Sequence, residues 1–189
     1  VRRGDIQANP LATMEKPSAP APRKRVLSDA EIKLVWDATH ELTEPFDSFS
    51  RLLILTAQRR SEVAEMEWAE LDRDTATWTI PAARAKNSSA NIVPLSATAV
   101  CEIDMLAAKL SDKEKPQSPP VWPSSGFVLT TTGKSPISGI SKAKAKLDAA
   151  MTEASNGGAI PAWRIHDIRR TVATGFQKLG VRWEVTEAV

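Results

Sequence analysis

"RLLILTAQRRSEVAEMEWAELD", residues 51–72, is where the chain changes character. Its first half is a dense apolar run, Leu52, Leu53, Ile54 and Leu55, which reads as a buried helix. Arg59 and Glu62 follow three apart, and Val63 and Met66 carry a helical stripe onward, as a continuation or a restart. Beyond Asp72 the pattern turns extended. "TATWTIPA" (75–82) and "NIVPLS" (91–96) are rich in β-branched and aromatic residues, and the polar turn "ARAKNSSA" (83–90) separates them. With "WAELD" (68–72) as a third strand, they make a small antiparallel sheet.

Outward from that stretch the chain is helical. Upstream, Ser28 and Glu31 have capping-box spacing, and Ile32, Val35 and Trp36 share one helical face. Downstream, Ser96 caps "ATAVCEIDMLAAKL" (97–110), and the proline-rich "SDKEKPQSPPVWPSSG" (111–126) forms a surface loop. "FVLTTTG" (127–133) is a short strand or turn. "ISGISKAKAKLDAAMTEA" (137–154) is a helix with Ile140, Ala143, Leu147 and Met151 on one side and Lys142, Lys144 and Lys146 on the others. "HDIRRTVATGFQKLG" (166–180) is the last full helix. The fold class is therefore mainly α with a small antiparallel β-sheet (α+β). Residues 1–25, with four of the thirteen prolines and no apolar stripe, read as an interdomain linker ahead of one domain, 26–189. The start on Val1 and the helical texture of "VTEAV" suggest a piece of a longer protein.

Composition narrows the function classes. Hydrophobic residues at 42% and charged residues at 25% fit a soluble globular domain with its own core. No apolar run approaches a membrane span, and no secretory leader is visible. Cys101 cannot form an internal disulfide, and one cysteine with two histidines builds no zinc cluster. Its helical setting implies a buried, small apolar role, and a cytoplasmic location fits. A net charge of +2 does not demand a polyanion, although clustered cations can still form a basic face. No phosphate-cradling glycine loop, nucleophile elbow or carboxylate cluster is present, so neither a cofactor nor a metal is expected.

A second stretch, "WRIHDIRRTVAT" (163–174), sets His166 and Arg169 in H-x-x-R order at a helix start. Taken singly, the polar candidates have ordinary explanations. Arg59 and Glu62 form a helix pair worth a few tenths of a kcal/mol. Lys86 is a turn lysine, and His166 is a polar residue at a helix start. Taken together, Arg59, Lys86, His166 and Arg169 are a coherent kit for a phosphodiester. Two guanidiniums fork onto non-bridging oxygens and hold transition-state charge. A hairpin lysine protonates a leaving alkoxide, and an imidazole takes or relays a proton near neutral pH.

In order and spacing, "LTAQRRSEVAEMEWAELD", "TWTIPAARAKNSSANIVPLS" and "HDIRRTVAT" resemble the catalytic domain of tyrosine recombinases, in particular integrases of prophages and genomic islands. The likeness runs from about Arg25 to the C-terminus, and "RGDIQANPL" resembles the segment leaving a preceding core-binding domain. It implies Arg59 and Arg169 as phosphate clamps, Glu62 as a supporting residue and Lys86 as general acid for the 5′-hydroxyl. His166 is implied as proton acceptor or phosphate hydrogen-bonder. Arg60 is expected to point elsewhere on its helix, and Arg170 is adjacent but off motif. The family's further His or Trp box and its nucleophilic Tyr have no counterpart in a chain with no tyrosine. The resemblance therefore implies a domain cut before its nucleophile and unable to cleave.

Double-stranded DNA is the implied partner, with a whole protein tetrameric on its attachment sites and this chain monomeric. Arg2, Arg3, Arg23, Lys24, Arg25, Lys86, Lys142, Lys144 and Lys146 are the candidates for backbone contacts. Two other readings share these residues: a non-catalytic DNA-binding relic of an integrase, and a type IB topoisomerase-like domain.

Overall fold

Ser28 starts the folded part as the sequence predicts. Its hydroxyl accepts from the Glu31 N–H at 3.2 Å, and its own N–H donates to the Glu31 carboxylate at 2.7 Å. This computed structural model describes residues 14–15, 24–85, 89–110, 118–155 and 158–182. Helix α1 (Asp29–Ala38) buries Val35 and Ala38, and a 3-10 turn (Thr39–Glu41) leads toward α2 (Phe46–Thr56). Leu52 and Leu53 of α2 are buried, while Ile54 and Leu55 are only half-buried.

Helix α2 does not continue into the next apolar stripe. Ala57 takes a left-handed conformation (φ 53°) and donates to the Leu53 carbonyl at 3.1 Å, which closes the helix. A side chain there costs about 1 kcal/mol or more of backbone strain. Gln58 follows, Arg59 is extended, and a short helix α3 (Arg60–Ala64) restarts with Val63 buried and Met66 just beyond it. Arg59 is thus the N-cap residue of a restarted helix, not part of a continuous one.

Three short strands follow, in order β1 (Leu71–Asp72), β2 (Thr77–Ile80) and β3 (Asn91–Pro94), all antiparallel. Trp78 faces Leu71 on one side and Val93 on the other. Trp78 and Ile80 are fully buried, while Thr79 between them is exposed, the alternation of a half-buried sheet. Of "WAELD", Leu71 and Asp72 alone are strand, because Trp68–Glu70 forms a 3-10 turn. "FVLTTTG" proves to be a turn. Phe127 makes one isolated bridge to Glu67, and the Thr130 hydroxyl takes the N–H groups of Thr132 and Gly133.

Helix α4 (Ala97–Leu110) turns Ala99, Glu102, Ile103, Leu106 and Ala107 inward. Cys101 is exposed, contrary to the expected buried role. The helix is apolar on more than one face, so its phase is set by a partner. Arg51 on α2 holds Glu102 at 3.1 Å, and that buried ion pair turns Cys101 out. Helix α5 (Ile140–Ala154) buries Ala143, Leu147 and Met151 as predicted and packs against α1. Helix α6 (Ile165–Lys178) packs on α2 and buries Ile168 and Asp167. Leu27 donates its N–H to the Thr171 hydroxyl at 2.9 Å, which ties the segment before α1 to α6. No helix among the described residues is long and apolar enough to cross a membrane.

Candidate active site

The break between α2 and α3 and the start of α6 meet at one opening. A cleft of about 590 Å3 is lined by Arg59, Arg60, Lys144, Trp163, Arg164 and His166, among others. Its lining includes four cations and no Asp or Glu. Such a surface concentrates positive potential and favours anions.

Each cationic side chain is placed by a specific local device. Arg59 donates its backbone N–H to one Glu62 oxygen at 2.9 Å and its Nη1 to the other at 2.8 Å. Glu62 is 3% exposed, so its carboxylate is an internal anchor and the rest of the Arg59 fork stays available. Arg169, one turn beyond His166, does not line the cleft. It is half-buried and donates Nη1 to the Ala57 carbonyl at 2.8 Å. That carbonyl belongs to the left-handed residue that ends α2, where helix acceptors lack partners. The strained turn and the H-x-x-R helix are therefore joined by one hydrogen bond.

The charges of these groups act on one another. Burial, then the charge of Arg59, lowers the Arg169 pKa, and Glu62 opposes the shift. Burial also leads the lowering of the His166 pKa, followed by Arg170 and Arg169, with Asp167 opposing. His166 is exposed by area, yet enough protein surrounds its ring for lost hydration to dominate. The lowered pKa favours the uncharged imidazole, which can accept a proton or a hydrogen bond. Asp167 is occupied elsewhere, taking the Arg164 N–H at 2.8 Å and Arg170 Nη1 at 2.6 Å.

The other sequence candidates divide. Lys86, in the connection between β2 and β3, and Arg2, Arg3 and Arg23 lie outside the described residues. Lys24 is exposed. Arg25 is half-buried, paired with Glu31 and bonded to the Val26 carbonyl at 2.7 Å, so it is held internally. Lys142 and Lys146 are exposed and line a separate cavity of about 380 Å3. Lys144 is an internal strut and not a free surface cation. Its ammonium lies 2.6 Å from both Asp148 oxygens and 3.8 Å from the Trp163 ring centroid. The i,i+4 spacing to Asp148 was the signal available for that pairing. Arg60, expected to point elsewhere, lines the same cleft as Arg59. Sequence reasoning also missed Trp163 and Arg164 as cleft residues, although both flank His166 in the chain. Among the described residues no cluster of His, Cys, Asp and Glu suited to a metal is present.

A mainly helical domain with a three-stranded sheet is also the build of integrase and recombinase catalytic domains. XerA recombinase superposes with a TM-score of 0.63 at 16% identity, covering 92% of this chain and 57% of that one. The integrase of mycobacterium phage Brujita gives 0.60 at 16%, covering 98% and 55%. The Tn1549 transposon integrase, solved in complex with circular intermediate DNA, gives 0.61 at 13%, covering 91% and 58%. By sequence, residues 25–187 match the Phage integrase family, and the chain belongs to that family. A putative integrase/recombinase of Haemophilus influenzae is 32% identical over 105 residues, which is 50% of this chain and 28% of that protein. The prophage integrase IntA of Escherichia coli is 42% identical over 53 residues, 28% of this chain and 13% of that protein. The matched regions thus span less than a third of each of these curated relatives.

Proposed function

We propose that this chain is the phosphate-holding part of a site-specific tyrosine recombinase, which cuts and rejoins duplex DNA through a 3′-phosphotyrosyl link. The observation that carries the reading is the convergence of Arg59 and His166 on one cleft with no lining carboxylate, with Arg169 close enough to Arg59 and Glu62 to feel their charges. In this reading Arg59 and Arg169 clamp the non-bridging oxygens of the scissile phosphate, and Glu62 holds Arg59 in register. Neutral His166 accepts the proton of the attacking hydroxyl or hydrogen-bonds the phosphate. Lys86 serves as general acid for the 5′-hydroxyl. Support comes from family membership and from a structural neighbour solved on DNA, the Tn1549 integrase. The whole protein would act on attachment sites as a tetramer, with residues 1–25 linking to a preceding domain and the 189-residue chain alone a monomer.

The 189 residues contain no tyrosine, so the nucleophile of this chemistry is not among them. The chain by itself holds DNA without cutting it. Incubation with a nicked duplex that traps covalent intermediates should give no DNA-linked band on a denaturing gel. The same chain should bind that duplex with an affinity that falls steeply as salt rises. A covalent band would overturn the inactivity, and salt-independent binding would overturn the phosphate clamp.

A further inference from the structure

The cleft holds more cationic capacity than Arg59 and Arg169 use. Arg60 opens α3, Arg164 precedes α6, and both are exposed and line the same cleft. Arginines elsewhere in the described residues are occupied. Arg25, Arg51, Arg59, Arg73, Arg84 and Arg170 each hold a carboxylate. Among the described residues neither Arg60 nor Arg164 is in an ion pair, and no carboxylate lines the space they share. Ser61 and Ser141 line it too. Like charges gathered at one opening repel each other unless an anion arrives. Two guanidinium forks with two hydroxyl donors match the oxygens of a phosphodiester.

We propose that Arg60 and Arg164, with Ser61 and Ser141, form a second phosphate station that grips a phosphodiester beside the one held by Arg59 and Arg169. The strand is then held at two phosphates, which fixes its direction through the cleft as well as its position. This inference rests on the DNA-binding reading above and adds residues to it.

The test is a fluorescence-anisotropy titration of the 189-residue chain against a labelled random-sequence duplex of roughly three helical turns, repeated across KCl concentrations. The Arg60→Ala/Arg164→Ala variant should flatten the slope of log affinity against log salt by about one and weaken binding roughly tenfold. The Arg60→Lys/Arg164→Lys variant should keep most of the slope, and Arg60→Gln/Arg164→Gln should lose it without losing the thermal transition. Combining the alanine pair with Arg59→Ala should add the two slope losses, as two separate phosphates require. An alanine pair with the wild-type slope overturns the second station. If Arg59→Ala still flattens the slope in that case, the first station stands. A wild-type chain that fails to bind the duplex sinks the DNA-binding reading itself.

Discussion

Two groups of arginines in this molecule carry the same charge and do different work. Around the sheet, Arg73 forks onto Asp104 with two bonds of 2.9 Å, and Trp122 Nε1 adds a third bond to Asp104 at 2.7 Å. The Arg73 guanidinium, with help from Trp122, pulls the Asp104 carboxyl below its ordinary pKa despite burial. Arg84 likewise forks onto Glu70, which also accepts from Trp78 Nε1 at 3.0 Å. Each guanidinium there is matched by a carboxylate that an indole also holds, so it staples a loop or turn to the core. At the cleft Arg59 spends one nitrogen on Glu62, and Arg169, outside its lining, spends one on a carbonyl. Burial and a neighbouring arginine disfavour the Arg169 charge, and an arriving phosphate would relieve that. What separates the two groups is the donor capacity left over once the protein's own acceptors are served.

The largest expected effect breaks a staple. Arg84→Ala leaves Glu70, whose side chain is 10% exposed, without its cation and should cost about 3 kcal/mol in urea unfolding. The salt slope of DNA binding should not move, and a slope lowered by about one would erase the contrast. Arg59→Ala is the reciprocal case. It should cost only about 1–2 kcal/mol, because Glu62 keeps its backbone donor and an arginine–arginine repulsion disappears. It should also flatten the salt slope by about one. A loss of about 4 kcal/mol or more, the cost of breaking a fully buried pair, would make Arg59 a staple too.

His166→Gln sharpens the picture through pH. The folded state lowers the His166 pKa below 6.5, so the unfolded chain takes up this proton first as pH falls. Wild-type stability therefore drops as pH falls below that value, and the glutamine variant should escape this component. Thermal melts at neutral and mildly acidic pH measure it, and parallel curves for the two proteins would place His166 outside the cationic cluster. The smallest effect belongs to Cys101→Ser on the outward face of α4, expected within about 0.5 kcal/mol of wild type. A loss of several times that size would mean the helix has the opposite phase.

Much of this organisation was legible in the chain because it is local. The Ser28–Glu31 box, the alternation in β2 and the Ala143, Leu147, Met151 stripe need neighbours only a few residues away. Legibility failed where a distant partner decided the outcome. Cys101 turned outward because Glu102 finds Arg51 on another helix. Lys144 turned inward because Trp163 and Asp148 both receive it. Arg60 entered the cleft because α2 stops at Ala57 and restarts, which shifts the helical phase on which its expected direction rested.

The sequence by itself determined the element order, the half-buried sheet and which residues carry cationic side chains, since periodicity and side-chain chemistry are carried residue by residue. The tertiary structure alone decided which of those cations are bound by internal carboxylates and which keep donors to spare. A guanidinium's availability depends on acceptors brought from far along the chain, and here the decisive acceptors, Glu62 and the Ala57 carbonyl, leave part of each fork open.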